Sequence, residues 1–90
     1  MTQSQFRNDV RAFVIQNFMF GQGEQLQDGE SFLESGLIDS TGVLELVGFL
    51  ESTYGITVAD EDLVPANLDS VTSVCRFIAD KLQEANRRAG

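Results

Sequence analysis

Few residues in this chain have side chains that could do chemistry. There is no histidine, and Cys75 is the single cysteine. That removes a Ser–His or Cys–His nucleophilic pair and a zinc cluster. Cys75 falls on the apolar face of a helical repeat near the C-terminus, where a thiol behaves as a small hydrophobe. Alone, it closes no disulfide within the chain. Asp28-Gly29-Glu30-Ser31 lacks the alternating oxygen ligands of a calcium loop. The acids are numerous, but no apolar surroundings set any two of them apart for acid–base work, so no enzymatic activity is expected. What remains is Gly36-Leu37-Ile38-Asp39-Ser40, which places a carboxylate and a hydroxyl where a loop meets an apolar-periodic run.

Two readings of that point compete. Asp or Ser before such a run is ordinarily a helix N-cap, contributing about 0.5–2 kcal/mol by accepting a backbone N–H. The chemical reading goes further. A helix start leaves backbone N–H groups unpaired and carries a partial positive charge, so a phosphodiester on Ser40 would be stabilised there. Ser40 has no histidine or comparable base to activate it, and would be a passive acceptor modified by another enzyme.

The elements that must position this point follow from periodicity. Phe6, Val10, Phe13 and Val14 form the stripe of an amphipathic helix over about 4–18, with Ser4 or Thr2 as its cap. A long connection runs from Met19 to Asp39, marked by Gly21, Gly23, Gly29 and Gly36. Its apolar residues Leu26, Phe32, Leu33, Leu37 and Ile38 are expected to anchor it to the core. A second helix is expected from Asp39–Ser40 to about Tyr54, stopped by Gly55. Val43, Leu46, Val47, Leu50 and Tyr54 fall on its inner face; Thr41, Glu45, Gly48 and Phe49 fall opposite, with Leu44 at the border. A single helical turn at Asp60–Val64, capped by Asp60 and ended by Pro65, follows the short extended entry of Ile56 and Val58. The last helix starts near Asp69–Ser70 and buries Val71, Val74, Cys75, Ile78 and Leu82, with Ala85–Gly90 fraying. The fold class is all-α: three main helices and one short one around a single core, with a long loop between the first two.

Size and charge narrow the function classes. Ninety residues make one domain, 1–90, with an ordered core of about 4–84. No apolar run is long enough to span a bilayer and no signal sequence is apparent, so a cytoplasmic protein is expected. All six basic residues lie near the ends: Arg7, Arg11, Arg76, Lys81, Arg87 and Arg88. Residues 19–75 contain no Lys or Arg, yet hold all of the 14 acids except Asp9, Asp80 and Glu84. Such a surface repels nucleic acid and anionic lipid and favours basic partners, although plain solubility is the simplest use of it.

Ser31-Phe32-Leu33-Glu34-Ser35-Gly36-Leu37-Ile38-Asp39-Ser40, followed by Val43-Leu44-Glu45-Leu46-Val47, resembles the phosphopantetheine attachment region of acyl carrier proteins. The resemblance covers nearly the whole chain in the order of its elements. It implies an acyl-carrier-like bundle and a 4′-phosphopantetheine arm on Ser40. It also implies that Asp39 assists the transferase, through a magnesium ion. The arm's thiol would carry an acyl or aminoacyl group as a thioester. The partners implied are a phosphopantetheinyl transferase and an acyl- or aminoacyl-loading ligase or synthase with a basic docking surface, meeting a monomeric carrier at Thr41, Leu44, Glu45, Gly48 and Phe49.

Departures from the family's pattern bear on subtype. Housekeeping fatty-acid carriers usually have Leu after the serine; here Thr41 and Gly42 follow it. Their second helix is usually richer in acids than one with only Glu45 and Glu51. The resemblance therefore points to a discrete carrier serving a dedicated pathway, with aminoacyl, polyketide and ligase-loaded types all fitting. The alternative from another class is a non-covalent acidic helical adaptor in which Ser40 is only an N-cap.

Overall fold

The computed structural model describes residues 3–18 and 26–89, with side chains for 4–18 and 26–84. Thr2, Gly21, Gly23 and the side chains of 85–90 lie outside the described residues. Helix α1 (Gln3–Phe18), helix α2 (Ser40–Tyr54), a 3₁₀ turn (Asp60–Asp62), helix α3 (Pro65–Leu68) and helix α4 (Val71–Ala89) follow in order. No strand occurs among the described residues, and no helix is long and apolar enough to cross a membrane.

Helix α1 packs on both α2 and α4. It buries Phe6, Val10 and Val14 as the spacing requires, and Ser4 sits inside its first turn rather than capping it. Phe13 is half-buried, with its ring stacked on Phe49 of α2 at 4.4 Å between centroids. Tyr54 closes this aromatic seam: it meets Phe6 edge-on at 5.4 Å and its hydroxyl donates to Asp9. In α4, Val71, Val74, Cys75, Phe77 and Ile78 are buried. Ser70 caps that helix by accepting the Ser73 N–H, and the helix runs to Ala89. Burial pushes the Cys75 thiol pKa up, which suits an inert core residue.

The connection into α2 is fastened at two points. Asp28 accepts from Arg7 and Arg11 of α1, while its carbonyl accepts the Thr72 N–H of α4. Asp69, just before α4, accepts from the Ser31 hydroxyl and the Leu33 N–H, and its carbonyl accepts the Phe32 N–H. Along this connection Leu26, Phe32 and Ile38 are buried, and Gly36 turns the chain at φ +75°, a left-handed conformation that suits glycine. Leu33 departs from expectation. Its N–H is held by Asp69 but its side chain is exposed, so it is no core anchor.

The third element also differs. The turn at Asp60–Asp62 is not capped by Asp60: the Asp62 carboxylate accepts the Ala59 N–H instead. Pro65 does not end a helix but opens α3, where its missing N–H costs nothing and its fixed φ is already helical. Lys81 of α4 pins this region by pairing with Asp62 at 2.8 Å.

Candidate functional site at the start of helix α2

Asp39 and Ser40 divide the helix start between them. Asp39 is the N-cap: its backbone is extended and its Oδ1 accepts the Gly42 N–H at 2.7 Å. Ser40 is the first helical residue, exposed, and its hydroxyl makes no hydrogen bond within the described residues. Of the two cap candidates in the sequence, Asp39 serves and Ser40 does not. The Asp39 carboxylate, charged and one bond longer in reach than a serine hydroxyl, satisfies the third N–H of the helix. The backbone N–H groups of Ser40 and Thr41 find no partner among the described residues, so two unpaired donors stand at the helix start beside the hydroxyl.

Beside Ser40 lies an apolar cleft of about 220 Å³. Ser40, Val43 and Leu44 form one wall; Leu63, Val64, Pro65 and Leu68 form the other, and Leu33 and Asp69 complete the rim. The large apolar side chains that stand exposed among the described residues are Leu33 (44%), Leu44 (60%), Leu63 (37%) and Val64 (41%), and all four line this cleft. Four such residues converging on one serine are not the scattered exposure that any surface shows.

Of the expected contact strip on α2, Thr41, Leu44, Glu45 and Gly48 are exposed as foreseen. Phe49 is not on that strip. It is half-buried, stacked on Phe13 and edge-on to Tyr54, so it belongs to the α1–α2 seam. The centre of the buried face is Gly42, Leu46 and Leu50, and Phe49 lies only about 60° of helical rotation from Leu46. Val43, Val47 and Tyr54 flank that centre and are half-buried. Leu63 and Val64 were missed, because their exposure comes from the break between the 3₁₀ turn and α3, which has no periodic signature. Among the described residues no group of three or more His, Cys, Asp or Glu side chains is placed to hold a metal ion.

Neither a protein-family model nor a curated protein matches the sequence. Among solved structures, the chain superimposes on an acyl carrier protein from Thermotoga maritima with a TM-score of 0.63. The two are 24% identical over 89% of this chain and 94% of the other. The all-helical fold of this chain is that of an acyl carrier protein.

Proposed function

We propose that this chain is a carrier protein bearing a 4′-phosphopantetheine arm on Ser40. The observation that carries the reading is the division of work at the helix start. Asp39 does the capping, which leaves Ser40 with an unbonded hydroxyl, two free N–H donors and an apolar cleft alongside. A serine kept only to cap a helix would not be in that state. When bound, the arm supplies a thiol that holds an acyl or aminoacyl group as a thioester.

The chain's own residues then have separable tasks. The Ser40 oxygen takes the phosphopantetheine group from coenzyme A, releasing the nucleotide portion and giving up its proton to the transferase. The N–H groups of Ser40 and Thr41 and the positive end of α2 stabilise the resulting phosphodiester. The cleft shelters apolar parts of the arm or cargo next to the attachment point. Thr41, Leu44, Glu45 and Gly48 form the surface that transferase and loading ligase or synthase meet. Tethering raises the effective concentration of cargo at each such partner.

Incubation with coenzyme A and a broad-specificity phosphopantetheinyl transferase tests the reading. The intact mass should rise by one phosphopantetheine group, and Ser40→Ala should stay at its starting mass. An unchanged wild-type mass returns the chain to the adaptor class; a modified Ser40→Ala moves the site elsewhere.

A further inference from the structure

Helix α2 contains two glycines in opposite situations. A Cβ at Gly48 would meet nothing within 4 Å. A Cβ at Gly42 would stand 2.8 Å from Ile38 Cγ2, 2.9 Å from Phe18 Cε1 and 3.4 Å from Asp39 Oδ1. Alanine is favoured over glycine inside a helix, so Gly42 persists against local propensity, and the reason is the two side chains laid over it.

The two neighbours could not yield equally. Phe18 Cε1 is the far edge of a ring at the end of α1, and the ring can swing. Ile38 Cγ2 is a methyl fixed one bond from Cβ, on a side chain 1% exposed, whose backbone N–H is bonded to the Phe32 carbonyl. Ile38 can retreat only with its backbone, and that backbone runs directly into Asp39 and Ser40. Asp39 in turn holds the Gly42 N–H. Gly42, Ile38 and Asp39 thus form a closed circuit around the attachment residue. We propose that Gly42 is a positioning residue for the modification of Ser40: its bare Cα lets Ile38 seat the Asp39–Ser40 backbone where a transferase can use the hydroxyl. This rests on the carrier reading above. Displacement of a reacting atom by about 1 Å can cost up to about 100-fold in rate, which sets the scale of the effect.

The test is transferase kinetics on purified variants checked by circular dichroism at the assay temperature. Gly42→Ala should lower kcat about tenfold or more while KM for the carrier stays within about twofold, since the outward strip is untouched. Room is then made in steps. Phe18→Leu removes the Cε1 contact, and Gly42→Ala in that background should still be slow. Adding Ile38→Leu removes the β-branch and should restore kcat to near that of Phe18→Leu/Ile38→Leu. If Gly42→Ala alone melts, the comparison within the Phe18→Leu background carries the same information. Wild type that is modified while a folded Gly42→Ala is equally fast overturns this proposal and leaves the carrier reading standing. So does a slow Gly42→Ala that the two leucines do not rescue. Wild type that gains no mass overturns the carrier reading and this one with it.

Discussion

Asp39 and Ser40 are neighbours with opposite duties, and substitution should separate them. Asp39→Ala leaves the third N–H of α2 without its partner, so it should lower stability by about 0.5–2 kcal/mol. Ser40→Ala removes a hydroxyl that bonds to nothing described and installs the best helix former, so stability should stay within about 0.5 kcal/mol. Urea midpoints of the two variants decide the matter, and equal losses in both would mean that the cap is shared. The dipeptide was legible in the sequence as a helix start; the assignment of the cap within it was not. Asp and Ser are both good N-caps, and only the backbone conformation, extended at Asp39 and helical at Ser40, tells which residue is outside the helix.

The elements show where hydropathy reads a fold and where it cannot. The ends of α2 were readable because Asp39 and Gly55 are strong local signals, and Gly55 does adopt the left-handed φ of +68°. The inner face of α2 is rotated by about 60° from the expected one, because its inward centre includes Gly42, which has no side chain to register as apolar. Pro65 was assigned to the wrong end of a helix because proline both terminates helices and opens them. The staple of Asp28 to Arg7 and Arg11 bridges 21 and 17 residues, and no periodic pattern reports such a contact. That staple predicts a pH response. The Arg7 hydrogen bond, with help from Arg11, holds the Asp28 carboxyl below its ordinary pKa despite some desolvation. Lys81, then the Ala59 N–H, do the same for Asp62. Just below about pH 4 the unfolded chain therefore binds more protons at these sites than the folded one. Their stabilisation is complete above that pH and is lost as the pH falls through the lowered folded-state values. Asp28→Asn cannot titrate, so its urea midpoint should fall less steeply than that of wild type between about pH 5 and pH 3. Parallel curves would show that the staple gives the fold no pH-dependent support.

At the scale of the whole molecule, charge and apolar surface are arranged around the same point. The four exposed apolar residues gather beside Ser40, while Glu34, Asp39, Glu45, Asp60 and Glu61 stand exposed in the segments that build or flank the cleft. Not every acid counts toward that field. Asp28 is neutralised by two arginines and Asp62 by Lys81, so neither offers a partner much net charge. The remaining acids should steer a basic transferase or ligase and set the association rate, whereas Leu44, the most exposed of the four, should make the desolvated contact. Raising salt from low to physiological levels should slow association, because exposed charges are screened beyond about 8–10 Å. Leu44→Ala should mainly speed dissociation and leave the salt sensitivity as it was. Phe49→Ala serves as the contrasting case. Stacked on Phe13 within the seam, it should lower stability, by less than the roughly 3–5 kcal/mol of a fully buried phenylalanine, while dissociation of the folded protein stays near that of wild type. Stopped-flow association and dissociation rates at two ionic strengths distinguish these effects. Association that ignores salt removes the steering role of the acids. A Phe49→Ala variant that folds as well as wild type but dissociates faster would return that ring to the docking surface.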